Sequence, residues 1–536
     1  MPMTRRSLLG GMARLGGAGA VYETLAAWEF LKPPPALAAS LALPRESGRG
    51  KTVVILGAGV SGLCAAYELD RAGYDCIILE AQRRAGGRSL TLRRGDTFRE
   101  MNGPLQTCEF DEGLYLNAGP GRIPHHHINV IDYCRRFGVA LQPYIFASRA
   151  NLVHSSTLGN GRTVPVREAL YSLQGHVAEL LDKCSRRGEL DLPVSGTDLE
   201  KLRDMLAAFG DLTKVETPGD APSWSYQNQS GRAGFERQAG VATPLKPIGP
   251  MKLEEILRSR VWEDGILRDA NINWQTSLME PVGGMDNFFK GFLRQPLVRG
   301  SGSIEGLIRH GAKVTAIDVA SDNVTIAYDD RGEARVLAAD YCVSTIPLPV
   351  FAKLKTNLPT AFMTVAANAP VTASGKVGWQ AERFWETVAN IYGGISWTTD
   401  IIDQIWYPSS GYLSPKGTLT GAYMRGRKAL EFNAKPVAER LAIAREQGEK
   451  LHPGFAKYVE RGVAIGWENM EFQLGGWVSD DAPDFSANSY VLSRSQGRFH
   501  MAGDQITFLS GWQEGAILAA HHAVTSIDRQ TRPGAR

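Results

Sequence analysis

Gly57, Gly59 and Gly62 stand in the spacing G-x-G-x-x-G, and Glu80 closes the apolar run that follows. That pattern can hold a dinucleotide. One glycine permits a tight turn, one lets backbone approach a pyrophosphate, and one allows a helix to pack on a strand. The phosphates would sit at the helix N-terminus against Ala58, Val60 and Ser61. Glu80 is placed to accept hydrogen bonds from ribose 2′ and 3′ hydroxyls, and an acid there disfavours a 2′-phosphate. A second stretch, GPGRIPHHH from Gly119 to His127, sets Arg122 between a glycine/proline turn and three histidines. An arginine fork matches a carboxylate; the alternative is a structural or surface arginine. Consecutive imidazoles on a helix point about 100° apart, so three cannot face one ion, and no metal site is expected. The histidines are expected to cap and solvate the start of a helix over INVIDYCRRFGV, with one facing the approach to a site.

These residues need a scaffold. KTVVILGAGVSGLCAAYELDRAGYDCIILEAQ reads as strand, glycine turn, alanine-rich helix and second strand ending at Glu80, a β-α-β unit. From about Val166 to Trp262 the periodicity turns mostly helical (REALYSLQGHVAELLDKC, LEKLRDMLAAFG, KLEEILRSRVW), broken by the polar loop PGDAPSWSYQNQSGRAG. Strand signals return in KVTAIDVASDNVTIAYDD and in YCVSTIPLP, which stops at Pro347. RFHMAGDQITFLSGWQEGAILAAHHAVTSI predicts one more strand, a loop, and a helix from Trp512 or Gln513. A unit begun near residue 50 and completed near 525 must be discontinuous.

Bulk properties exclude several classes. With 536 residues, 43% of them hydrophobic, the chain can bury a large core in roughly three lobes. A net charge of +3 without a dense basic block argues against nucleic acid. The six cysteines lie far apart, so neither a disulfide framework nor a zinc module is indicated. Arg5 and Arg6 precede a Gly/Ala-rich apolar run and the triplet Ala36-Leu37-Ala38, in outline a twin-arginine export signal, though Arg14, Glu23 and Glu29 interrupt it. Export is expected, or a cytoplasmic protein if the leader is inactive. No later segment reaches about 18 uncharged apolar residues, so no membrane anchor is expected.

NAD and FAD are separated by the next segment, Glu80-Ala81-Gln82-Arg83-Arg84-Ala85-Gly86-Gly87-Arg88. Its paired glycines bring backbone close to a cofactor, and Arg88 can neutralise a phosphate or lie along a ribityl arm. This motif resembles the flavin monoamine oxidase family, closest to bacterial L-amino-acid oxidases. GPGRIP (119–124), EPVGGMD (280–286), VSTIPL (343–348) and AGDQ with SGWQEGAILA (502–519) extend the resemblance from about residue 50 to 525.

The resemblance implies a mixed α/β fold with three parts. A discontinuous, glutathione-reductase-like Rossmann FAD domain would span 50–100, 265–350 and 490–530. A mixed-sheet substrate domain would take 101–160 and 351–489, and an inserted helical lobe 161–264, behind a leader over 1–45. It places FAD on Gly57, Gly59, Gly62, Glu80, Ala81, Gly86, Gly87 and Arg88, with Gly119, Pro120, Gly121 and Arg122 alongside. Val314 would meet the adenine side through its backbone, and Gly503 and Asp504 would bracket the pyrophosphate and ribityl chain. SGWQ lacks the cysteine that tethers flavin in mitochondrial relatives, so FAD would be non-covalent.

For substrate, the resemblance assigns the α-carboxylate to Arg122 and to Tyr407, the tyrosine before Pro408. Gly121 stands where other members carry a larger residue. Lys376, in SGKVGW, matches the lysine that holds a water near the flavin, while Gly511 and Trp512 would supply a backbone carbonyl for the amine and an aromatic wall. Trp224, Tyr226, Phe235, Trp397 and Trp477 are candidates for a side-chain pocket, each with ordinary core as the alternative. No acid is visibly placed for a basic side chain, so large apolar and aromatic L-amino acids are expected. The implied reaction is oxidation of an L-amino acid by oxygen to 2-oxo acid, ammonia and hydrogen peroxide, by a homodimer. Alternatives at this stage are an amino-acid 2-monooxygenase, a monoamine or polyamine oxidase, and a structural or electron-transfer flavoprotein.

Overall fold

The computed structural model describes residues 41, 43–188, 196–216, 223–479 and 481–532. Most of the leader expected over 1–45 lies outside these residues.

The nucleotide half is a five-stranded parallel sheet in the order Ile308–His310, Asp75–Glu80, Thr52–Leu56, Tyr341–Ser344, Phe499–Met501. Val53 to Leu56 are at most 1% exposed. A strand buried on both faces needs the unbroken apolar run seen here rather than alternation. The helices Val60–Arg71 and Gln513–Thr531 pack in this sheet's core through small residues such as Ala65, Ala66, Ala519 and Ala520. A four-stranded sheet, beginning with Ala312–Val319, adjoins it. Strands of one sheet therefore come from widely separated stretches, as the sequence predicts.

The second half is a seven-stranded sheet ordered Val164–Pro165, Leu152–His154, Gly394–Thr398, Gln404–Tyr407, Lys416–Arg425, Ser374–Glu382, Val459–Gly466. It is mixed, because Gly394–Thr398 runs parallel to Leu152–His154 while its other pairings are antiparallel. A cluster of Trp385, Tyr407, Phe432 and Phe455 packs within this half.

Three segments differ from their sequence reading. Helices Val166–Arg187 and Gly196–Gly210 form as expected, but the polar break between helices carries paired strands, Leu212–Val215 with Ser223–Tyr226 and Phe235–Arg237 with Lys246–Pro247. KLEEILRSRVW is two helices, Leu253–Ser259 and Val261–Asp264, because Arg260 takes φ +56°. Within the stretch 265–350 expected in the nucleotide domain, Leu278–Pro281 instead pairs with Ile123–Pro124 and Leu141–Tyr144. Hydrogen bonding thus ties part of EPVGGMD to the layer carrying Arg122. Among the described residues no helix is long and apolar enough to cross a membrane.

Candidate cofactor and substrate cavity

A cavity of about 890 Å³ opens between the two sheets. Its nucleotide end is built where Thr52–Leu56 turns into the helix Val60–Arg71, with Gly59 at the N-cap. No side chain caps this end, so its first amides are free for an anion, and the helix dipole favours one. Gly57, Gly59, Val60 and Ser61 line the cavity. A β-carbon on Gly59 would meet no protein atom within 4 Å, whereas one on Gly62 would lie 2.0 Å from the Gly57 carbonyl oxygen. Gly59 therefore leaves room for a ligand; Gly62 leaves room for the fold.

Glu80 ends its strand 5% exposed and accepts the backbone N–H groups of Ala58 and Gln82, both at 2.8 Å. Burial raises its pKa above the ordinary carboxylate value. Ala58 thus acts behind the loop by orienting the acid, while Ala81, Gly86, Gly87 and Val314 join the lining. The donor set fits a dinucleotide: an anion-binding helix start, a β-carbon-free approach, and an acid at the ribose position.

Arg88 reaches across to Asp504, forming an ion pair through both guanidinium nitrogens, and Arg88 Nη1 donates to the Gly476 carbonyl at 2.5 Å. The N–H of Gly511 donates to Asp504 Oδ2 at 2.9 Å. The charge of Arg88 is therefore matched inside the protein, which favours the ribityl-side position over phosphate neutralisation. Gly503, Asp504, Gly511 and Trp512 all line the cavity.

At the other end sits Arg122. Its guanidinium carbon lies 4.1 Å from the Trp274 ring centroid, 5.0 Å from Trp406 and 5.1 Å from Phe146. Its Nε is buried without a hydrogen-bond partner, and no carboxylate of the described residues forms an ion pair with it. Burial lowers its pKa, with Arg425 opposing its charge in the same direction, yet a guanidinium stays protonated. Gly119, Pro120 and Gly121 line the same wall. A β-carbon on Gly121 would meet the Trp406 ring at 2.8 Å, which explains the missing side chain.

Lys376, 3% exposed, donates from Nζ to the carbonyls of Asn117 and Gly119, both at 2.7 Å. Burial, and then Arg122, hold its pKa well below the ordinary lysine value. With two hydrogens spent on carbonyls, one position on the nitrogen remains for the cavity: a proton when charged, a lone pair when neutral.

Two sequence readings need correction. Tyr407 does not reach the cavity. Successive side chains of a strand face opposite sides, so Trp406 lines the site while Tyr407, 1% exposed, points into the core. Its hydroxyl is committed to Ser396 Oγ at 2.8 Å and His452 Nε2 at 2.5 Å. The triple histidine supplies no side-chain cap to the helix Ile128–Arg136, although one of the three does face the cavity. His125 is exposed, His126 bonds Asn273 Oδ1 at 3.1 Å, and His127 is 1% exposed in the cavity wall. The His127 ring meets Trp512 edge to face at 4.9 Å, and burial, with His126 and His125 beside it, pushes its pKa down to about 3. Of the five aromatic pocket candidates, Trp477 lines the cavity. Trp224 and Tyr226 pack in the helical lobe, Phe235 is exposed, and Trp397 is core.

The start of the helix Ile128–Arg136 is held instead by Glu514, which accepts the N–H groups of Asn129 at 3.1 Å and Val130 at 2.9 Å. This bond ties the Arg122 segment to the helix following Trp512. Trp274, Trp406, Tyr423, Arg268 and Arg425 also line the site and were not legible as site residues. Tyr423 and Arg425 lie two apart on one strand, the single local signal among them.

Solved amine oxidases share this architecture. Cyclohexylamine oxidase from Brevibacterium oxydans IH-35A matches with TM-score 0.57 at 18% identity over 90% of this chain and 99% of its own. Putrescine oxidase matches with TM-score 0.55 at 17% identity over 89% and 98%. In sequence, the flavin-dependent L-tryptophan oxidase RebO of Lentzea aerocolonigenes is 26% identical, covering 89% of this chain and 98% of the relative. An L-amino-acid oxidase of Siganus canaliculatus is 27% identical, with 89% and 85% covered. Residues 60–528 match the family described as flavin containing amine oxidoreductase, and the chain belongs to that family.

Proposed function

We propose that the protein oxidatively deaminates L-amino acids, consuming oxygen and water and releasing 2-oxo acid, ammonia and hydrogen peroxide, with FAD bound non-covalently. The observation that carries this reading is Arg122, half-buried in the cavity wall within a box of aromatic rings, its Nε buried and its guanidinium without an ionic partner among the described residues. An unpaired buried charge is costly unless a ligand completes it. A substrate α-carboxylate does so with two parallel hydrogen bonds. A plain amine offers Arg122 nothing.

FAD, when bound, supplies the two-electron acceptor for the substrate Cα–H bond. Glu80 would hold its ribose, Gly57 to Ser61 its pyrophosphate, and the Arg88–Asp504 pair its linking chain. No cysteine lines the cavity, which supports a non-covalent cofactor. Arg122 anchors the carboxylate, and Trp512, Trp274 and Trp406 exclude water and restrict the pose. Lys376 offers its remaining nitrogen position to a water molecule beside the reacting atoms. His127, its pKa held down to about 3 by burial, adds a neutral ring to the wall beside Trp512. The names of the relatives support the L-amino-acid class.

Anaerobic mixing of the flavin-loaded protein with each L-amino acid tests this. Flavin bleaching, followed in air by equal yields of peroxide, ammonia and 2-oxo acid, is expected. An amide product with loss of carbon dioxide, or a flavin left oxidised by every amino acid, overturns it. Arg5 and Arg6 further support export of the folded, cofactor-loaded protein, which cell fractionation checks.

A further inference from the structure

The substrate end of the cavity carries more positive charge than one α-carboxylate requires. Besides Arg122, it is lined by Arg268 and Arg425. Arg268 follows the short helix Val261–Asp264, and its guanidinium carbon lies 5.4 Å from the centroid of Trp274, the indole that Arg122 contacts at 4.1 Å. One ring is thus shared by two cations. Arg425 ends the strand Lys416–Arg425, and its charge opposes those of both Arg122 and Arg268.

The neighbouring acid does not balance them. Asp264 contacts Arg268 Nη1 at 3.2 Å and Arg425 Nη2 at 3.5 Å, so two guanidiniums divide one carboxylate whose side chain is 59% exposed. Exposed, long contacts of this kind contribute little. Arg425 Nε is also buried without a hydrogen-bond partner. The other nearby acid, Asp403, is held by Lys428 at 2.7 Å. Of the acids lining the cavity, Glu80 and Asp504 are engaged at the nucleotide end and Glu471 pairs with Lys313 at 2.8 Å, while Asp481 is exposed.

We propose that Arg268 and Arg425 form a second carboxylate clamp, so that the preferred substrates are L-amino acids with an anionic side chain, glutamate or aspartate being the simplest. This rests on the amino-acid reading above and replaces the expectation of apolar and aromatic substrates. The α-carboxylate takes Arg122 and the side-chain carboxylate takes the Arg268–Arg425 pair, with Trp274 packed between the two cationic positions. A neutral side chain of equal length would leave the two guanidiniums with only the exposed Asp264 between them.

The test is steady-state kcat/KM of the flavin-loaded enzyme on L-glutamate, L-aspartate, L-glutamine, L-asparagine, L-leucine and L-phenylalanine. In at least one of the two acid/amide pairs the acid should exceed its amide by roughly 30-fold or more. In Arg425→Met and in Arg268→Met that ratio should fall toward one. A ratio taken within one variant is unaffected by partial loss of folded protein, and either variant suffices if the other does not fold. Glutarate should inhibit competitively at least ~10-fold better than butyrate in the wild type. Turnover of leucine or phenylalanine with each acid at or below its amide overturns the second clamp and leaves the amino-acid reading standing. Failure of every L-amino acid to reduce the flavin overturns both.

Discussion

The guanidinium of Arg122 stacks on the indole of Trp274 with 4.1 Å between guanidinium carbon and ring centroid, although 152 residues of sequence separate them. The ring desolvates one face of the cation without satisfying its N–H groups. Arg122→Met should therefore lower kcat/KM for amino acids on the order of 100-fold, chiefly through KM, with flavin content retained. Unchanged KM in steady-state assays would show that the carboxylate binds elsewhere.

Gly59→Ala and Gly62→Ala should separate cofactor binding from folding. The first adds a methyl group into open cavity, so the apoprotein should melt within a few degrees of wild type but purify colourless. The second forces its methyl onto the Gly57 carbonyl, 2.0 Å away, and should lose both flavin and stability. Visible absorbance and thermal unfolding read the two effects; a yellow Gly59→Ala protein would contradict the placement of the pyrophosphate.

Tyr407→Phe should leave KM within about twofold while lowering stability by about 1 kcal/mol, because its hydroxyl serves Ser396 and His452 rather than substrate. A large rise in KM with unchanged melting would restore the carboxylate role read from Tyr407-Pro408.

Lys376→Met strips two part-buried carbonyls, those of Asn117 and Gly119, of this donor. Each orphaned acceptor costs about 1–3 kcal/mol. Chemical denaturation should show that loss, and wild-type stability in the variant would mean that water replaces the amine.

Glu280 makes stability fall with rising pH. Burial raises its pKa to about 7, with Gln142 Nε2 donating to it at 2.9 Å. Between its unfolded value, 4.5, and about 7 the native state keeps a proton that the unfolded chain has released. The destabilisation is thus absent below the lower value and complete above the upper one. Glu280→Gln should stabilise the protein by on the order of 1–3 kcal/mol at pH 8 and by little at pH 4. Parallel melting curves for both proteins at each pH would exclude this.

The nucleotide end was legible because its information is local. A β-α-β unit, its glycine spacing and Glu80 lie within one short stretch, and each glycine answers a steric demand of a neighbour or of a ligand close in the chain. Arg122 was legible from its Gly-Pro-x-Arg turn. The carboxylate role of Tyr407 came from the family resemblance of its Tyr-Pro pair, and the residues of IWYP, with aromatics on both strand faces, offer nothing to check it. Alternation shows that Trp406 and Tyr407 part company; it does not show which one meets solvent.

By itself, then, the amino-acid sequence determined the β-α-β start of a discontinuous α/β fold, with its glycine turn and the acid that ends the second strand. These follow from hydrophobic periodicity and from turn chemistry within a few residues, whereas the clamp role of Arg122 rested on the family resemblance. Only the tertiary structure decided that Trp274, Trp406 and Tyr423 wall the substrate end, that His127 is buried, that Glu514 caps a distant helix, and that Arg268 and Arg425 share one exposed carboxylate. Burial and charge pairing are properties of neighbours in space, and many of the neighbours here come from segments more than a hundred residues apart whose types carry no local mark of their partners.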